Sequence, residues 1–343
     1  MRFTVVLILT FFAGCTLYTS VNAAEPSKGG PENLTGTVIV ANQESDSVTL
    51  IDLARMEAYR NVDVVGDPHE VAVSPDGTRA MVTNYAGFTD RHNKLSLISI
   101  PSGITLKTID LGEYSMPHDV EWVNDSQVVT TAEFNNALLL VNVDSGEIER
   151  VFDTGKEGSH MLSLSQDRTR LYSSNMAGGT VSVFDFESGS KIRDIITGEE
   201  TEGVGVTPDG RWVWAGNRAQ DTVSIIGTES LQLVKTLDSP GFPYRVEFTP
   251  NGKYALVPHA TSGSLMVGDV ANKSVIKYIA LQMTQVDNPS TAGVFPHPDN
   301  LHAFVTVRND NSVLVLNLES GETIGRVEVQ ESPDGVAYSP IQR

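Results

Sequence analysis

The stretch HEVAVSPDG at 69–77 comes back along the whole chain. It returns as HDVEWVNDS (118–126), HMLSLSQDR (160–168), EGVGVTPDG (202–210), YRVEFTPNG (244–252), AGVFPHPDN (292–300) and, shortened, DGVAYSP (334–340). With the Pro75 column as marker, the copies fall at 75, 124, 166, 208, 250, 298 and 340, at intervals of 49, 42, 42, 42, 48 and 42. A period of about 40–45 residues is that of a four-stranded propeller blade. One such unit cannot bury its own apolar surface. Neighbours must stack, and radial closure removes exposed sheet edges.

Each unit predicts four strands. The opening strand runs into an SPDG-type turn. A second strand follows, as in RAMVTN (79–84), RLYSSN (170–175) and RWVWAGN (211–217). A third resembles SVTLIDL (47–53), TVSVFDF (180–186) or SVLVLNL (312–318), and a fourth LVKTLD (233–238) or TIGRVEV (323–329). Both faces of these strands read as apolar. The chain begins its repeats at GTVIVAN (36–42), a strand of the second type, and ends at GVAYSP (335–340), one of the first type. The last blade is therefore expected to join a C-terminal innermost strand to three N-terminal strands. The fold class is an all-β, seven-bladed propeller over 35–343.

VAVSPDG, RAMVTN and SVTLID resemble the YVTN or YncE-like β-propeller repeat, and the resemblance covers essentially all of 36–340. It implies the same fold. It does not imply one activity, because related propellers include lactonases, lyases, metal-binding proteins and cofactor-bearing oxidoreductase subunits. Function has to be read from the site.

In a propeller the first residues of the innermost strands ring one mouth of a central channel. Here that ring reads His69, His118, His160, Glu202, Tyr244, Ala292 and Asp334. The next column reads Glu70, Asp119, Met161, Gly203, Arg245, Gly293 and Gly335, and two residues beyond that second column blades two and five add Glu121 and Glu247. Charged side chains are seldom fully buried unless paired or ligated, so their concentration here is the main functional signal. The two long intervals come from expanded loops, YAGFTDRHNK (85–94) and LQMTQVDNPST (281–291), which map to the same face. The second strands end there on Asn42, Asn84, Ala132, Asn175, Asn217, His259 and Val307, with Arg218 and Arg308 in the column after.

Three chemistries suit this ring. A divalent metal such as zinc, copper, iron or nickel would take His69, His118 and His160 as ligands. Glu202 or Asp334 would be a fourth ligand or its support. A small ligand would meet Glu70, Asp119, Arg245, His259 and Asp334. A metal-assisted, lactonase-like hydrolase or lyase would have the bound ion polarise a lactone or ester carbonyl, Glu121, Glu202 or Glu247 act as general base and Arg245 hold a substrate carboxylate. A non-catalytic scaffold for a protein partner is a further reading. His297 and His302, in HPDNLH on the opposite face, read as chemically idle.

Arg2 followed by FTVVLILTFFAG (3–14) and VNA (21–23) predicts a signal peptide over 1–23 and export to the periplasm or beyond. A rival reading takes FAGC (12–15) as a lipidation site at Cys15, the only cysteine. Either way the folded domain has no disulfide framework. Residues 24–34 read as a flexible leader, and no transmembrane segment is expected. A formal net charge of −19 disfavours nucleic acid and anionic lipid as partners.

Overall fold

A computed structural model describes residues 34–86, 91–281, 286 and 289–343. The expected signal peptide, Cys15 and the expected leader up to residue 33 lie outside the described residues, as do parts of both expanded loops. Leu34, the last residue assigned to the leader, is buried against Val38 and Ile51. Among the described residues no helix is long and apolar enough to cross a membrane.

Seven four-stranded antiparallel sheets form the molecule. Blade one spans 68–110, blade two 120–153, blade three 159–196, blade four 201–238, blade five 247–280 and blade six 291–328. In blade seven the C-terminal strand Pro333–Ser339 pairs with Thr37–Asn42, which continues into Ser47–Asp52 and Glu57–Asp63. Ile39 faces Ala337 and Val38 faces Tyr338, so the two ends of the chain clasp the ring through a main-chain ladder, as the termini predict.

The core lies between blades. Val71, Ala80, Val82 and Ile98 of blade one pack on Ile39, Leu50 and Val62 of blade seven, and this pattern recurs around the ring. The outermost strands differ from the expectation of two apolar faces. Lys191–Ile196 and Gln232–Asp238 are largely exposed, and each buries one residue well, Ile195 and Leu237. No sheet lies outside them, so only the blade-facing tip of that strand is covered.

The last two residues of the second strands, the final one often Asn, have two jobs. The Asn side chains are fully buried and tie the second strand to the third. Asn175 Nδ2 donates to Ser182 Oγ and Asn217 Nδ2 to Ser224 Oγ, both at 2.9 Å. The residue before the Asn faces a β-bulge in the innermost strand. In blade one, Pro68 pairs with Asn84 and Val71 with Val82, so His69 and Glu70 together oppose Thr83 alone. Blades three, four, six and seven repeat this two-against-one register. A bulge re-aims side chains that a regular strand would send to opposite faces. It explains why two consecutive columns, rather than one, reach the channel axis.

Candidate functional site

In blades one, three and six a hydroxyl opposite the bulge fixes it. Thr83 Oγ1 accepts the Glu70 N–H at 2.9 Å and donates to the His118 carbonyl of the next blade at 2.8 Å. Thr306 does the same between the Gly293 N–H (2.7 Å) and the Asp334 carbonyl (2.8 Å), and Ser174 between Met161 and Glu202. The ring residues are thus stapled blade to blade. The inner strands also approach closely. A Cβ on Gly335 would lie 2.4 Å from the His69 carbonyl oxygen, and one on Gly293 2.3 Å from that of Asp334. Glycine at these positions lets the strands close up, leaving the axis to Glu70, Asp119, Met161 and Arg245.

The imidazoles do come together. The rings of His69 and His118 have centroids 4.9 Å apart, and those of His118 and His160 3.7 Å, with all three residues buried. They are enclosed by a network of paired charges. Arg245 sits at the centre. Its Nε donates to Glu70 at 2.7 Å, its Nη1 to Glu202 at 3.0 Å, and its Nη2 faces Asp334 at 3.5 Å. Arg218 also binds Glu202, and Arg308 binds Asp334. His160 places Nδ1 2.8 Å from Glu133 and Nε2 3.4 Å from Glu202. Tyr85 donates to the same Glu133 oxygen at 2.9 Å. Tyr244 lies under Arg245, 4.2 Å from its ring centroid to the guanidinium carbon.

The electrostatics follow from these contacts. Burial pushes His160 down, but Glu133 and Glu202 outweigh it and hold the imidazole up at about 9, so it is cationic at neutral pH. Burial would raise Glu202 and Asp334. His160 and two arginines hold the first below the usual carboxylate range, and Arg308 and Arg245 the second. His118 is driven well below the ordinary histidine range by burial and by the neighbouring His160 charge, and burial lowers His69 as well. The mouth of the ring is therefore a near-balanced plug of cations and anions.

A cavity opens at the other end. A cavity of about 900 Å³ runs in from the SPDG-type turns, past Pro75, Pro208, Pro250, Pro298 and Pro340. Its walls include Trp122, Phe248 and Phe295, and its depth carries Glu70, Asp119, Glu121, Glu247 and Arg245. Asp119 Oδ2 accepts the Leu162 N–H at 2.9 Å and Glu121 Oε2 the Leu164 N–H at 3.1 Å. Burial, reinforced by the Asp119 charge, lifts Glu121 to about 8. Burial lifts Glu70 to about 8 despite Arg245. Glu247 is raised well above the carboxylate range by burial and by Glu121, Asp119 and Glu70. Several acids facing each other across one channel cannot all ionise.

The residues read from the sequence thus separate into three places. His69, His118, His160, Glu202 and Asp334 form the plug. Glu70, Asp119 and Arg245 lie at the boundary between plug and cavity, while Glu121 and Glu247 belong to the cavity. Arg245 is engaged by three carboxylates, which leaves its guanidinium no free edge for a substrate carboxylate. His259, expected at the ligand site, is fully buried with Nε2 2.8 Å from Ser239 Oγ and Nδ1 3.1 Å from Ser264 Oγ. It does the work of the clamp asparagines it replaces. Glu133, Tyr85 and Gln43, which lies 3.3 Å from His69 Nε2, were not singled out from the sequence. They share the column of Arg218 and Arg308, one past the end of the second strand, and reading that whole column would have found them.

Comparison with known proteins agrees on the fold. A family model described as YNCE-like beta-propeller matches residues 30–293. The seven-bladed beta-propeller protein Rv1057 of Mycobacterium tuberculosis is 26% identical over 160 residues, which make up 44% of this chain and 39% of that protein. The match therefore spans less than half of the relative's length. Among solved structures, hydrazine synthase of Kuenenia stuttgartiensis superimposes with a TM-score of 0.72 at 20% identity, covering 88% of this chain and 99% of that one. A functionally unknown protein from Desulfotomaculum acetoxidans DSM 771 gives 0.75 at 16% identity, covering 89% and 99%. Dihydro-heme d1 dehydrogenase NirN in complex with DHE gives 0.66 at 15%, covering 93% and 78%. At such identities the likeness extends to the fold alone. The chain belongs to the YNCE-like β-propeller family.

Proposed function

We propose that this is an exported binding protein that holds a small organic cation in the central channel, against the carboxyl belt of Glu70, Asp119, Glu121 and Glu247. The observation that carries the reading is the cavity of about 900 Å³ with apolar walls and this belt at its inner end. That volume is in the range of small-molecule sites, and a few convergent polar groups of shifted pKa at the base of an apolar pocket mark a binding site. A bare metal ion would use little of the space. Arg245 offsets only part of the negative charge, and its partners in the plug claim it. A cation would let Glu121 and Glu247 ionise, so binding would release protons and tighten as pH rises toward 8.

The test is calorimetric titration of the mature chain with tryptamine, spermidine and choline, each beside a neutral counterpart such as tryptophol. Runs in buffers of different ionisation heat count the protons released. Binding of an amine, not of its neutral counterpart, with loss in E121Q/E247Q, is the expected result. Equal binding of neutral counterparts would refute it.

A second reading places a metal ion at the ring. It is favoured by His118 Nδ1, which is buried without a hydrogen-bond partner among the described residues. Zinc, copper, nickel and iron suit such imidazoles. Elemental analysis of natively purified protein decides it. Stoichiometric metal lost in H118Q would favour the ring, and metal-free protein would leave the plug as a purely structural device.

A further inference from the structure

The turn that closes the innermost strand of blade six departs from its counterparts. In blades one, three, four and five its first residue is Ser74, Ser165, Thr207 or Thr249. The hydroxyl bonds an Asp or Asn two residues on, at 2.6, 2.7, 2.6 and 2.8 Å. It also accepts the N–H of the residue five on, at 3.0, 2.9, 3.1 and 3.0 Å. That geometry is complete without a ligand. Blade six has His297 in the hydroxyl position and His302 five residues on, around Asp299.

Asp299 Oδ2 lies 3.0 Å from His297 Nδ1 and 2.7 Å from His302 Nδ1. Its Oδ1 accepts the N–H groups of Leu301 and His302 at 2.8 and 3.0 Å, so the carboxylate is fixed in orientation. The backbone N–H of Asp299 points at His297 Nδ1, 3.3 Å away, which calls for a lone pair on that nitrogen. The far nitrogen, Nε2, is buried without a partner. His297 is buried, with its ring held edge-on by Tyr338 at 4.9 Å and Phe304 at 5.9 Å between centroids. His302 Nδ1 donates its proton to Asp299 Oδ2, a proton that a bound metal ion would displace, and His297, Asp299 and His302 each offer one ligand atom within 4.8 Å of one another, a three-point donor set.

We propose that His297, Asp299 and His302 form a divalent transition-metal site on the turn face of blade six, with zinc as the best-matched ion. Two imidazoles and a carboxylate are borderline donors that suit zinc, and three protein ligands leave a position for water. Asp299 is exposed, which leaves the ion open to solvent on that side. Tyr338, which steadies His297, belongs to the C-terminal strand that closes the ring. A bound ion would therefore brace the clasp between blades six and seven. This site is separate from both the plug and the carboxyl belt, and it does not rest on the function proposed above.

The experiment is zinc titration of the mature chain by calorimetry, with cobalt(II) absorption as a report on the donor set and thermal melting as a report on the clasp. The expected result is one ion per chain, visible d–d bands from a tetrahedral or five-coordinate cobalt site, and a melting temperature raised by zinc. D299N and H302Q should each weaken binding tenfold or more and abolish the zinc-dependent rise in melting. Both blade-six changes are at solvent-accessible side chains, and their melting without metal confirms that they fold. Absence of zinc binding in the wild-type chain, or binding unchanged in D299N and H302Q, or lost only in H118Q, would overturn the proposal.

Discussion

The two ends of the channel handle buried charge in opposite ways. At the ring end, Arg245, Arg218, Arg308 and His160 meet Glu70, Glu202, Asp334 and Glu133, and nearly every charge has a counter-charge within hydrogen-bond reach. At the turn end, Asp119, Glu121 and Glu247 face one another in a cavity; burial raises all three pKa values, and neighbouring acids add to it at Glu121 and Glu247. A saturated network rigidifies and specifies a fold, whereas an unsatisfied set of acids in open space is poised for a ligand. Imidazole content alone pointed to the first. Pairing points to the second.

Removing Arg245 should break this contrast most severely. R245M leaves Glu70, Glu202 and Asp334 without their shared cation, and loss of one partner of a buried ion pair costs about 3–5 kcal/mol. Urea unfolding should show a loss of that order, whereas E247Q, at the other end, should be neutral or stabilising. An R245M chain as stable as wild type would mean that the plug contributes nothing.

Smaller effects test the scaffolding around the ring. G335A puts a methyl 2.4 Å from the His69 carbonyl oxygen and 2.7 Å from Glu70 Cα. Backbone must shift, and overpacking of this kind costs about 1–3 kcal/mol. T83V removes the staple between Glu70 and His118, leaving a buried N–H and a buried carbonyl short of a partner, at about 1–3 kcal/mol for an unsatisfied group. Both are measured by the same denaturation. A stable T83V would show that the bulge holds without its hydroxyl.

The pH dependence separates the two ends. His160 carries a folded pKa of about 9 against an ordinary 6.5. The folded chain binds the extra proton, so this stabilisation is complete below pH 6.5 and is lost as pH rises to about 9. Glu121, at about 8 against 4.5, works in the same direction, its contribution declining from pH 4.5 up to about 8. Each such group gives a slope of at most about −1.4 kcal/mol per pH unit within its window. E121Q should flatten the fall between pH 5 and 8, while H160Q should flatten it only above 6.5. A wild-type stability that rises across pH 6.5–8 would contradict both assignments.

Much of this was legible in the sequence. The repeat fixes blade number, the clasp of the termini and the convergence of His69, His118 and His160, because a closed ring turns a recurring column into a circle. Three things were not legible. A strand read at period two cannot show that a bulge turns both His69 and Glu70 inward, since the evidence for it is a pairing register. Charge pairing across the axis joins Glu70 to Arg245, residues 175 apart in the chain, and nothing local specifies that contact. Nor does the sequence show which end of the channel is filled by side chains and which end holds a cavity.

The most direct test is to titrate tryptamine into the mature protein at pH 6, 7 and 8, with tryptophol as the uncharged control. The carboxyl-belt account predicts that the amine binds and the alcohol does not, that affinity strengthens with pH, and that protons leave in amounts reduced by E121Q and E247Q. Amine binding independent of pH, without proton release and unchanged in those two variants, would contradict it.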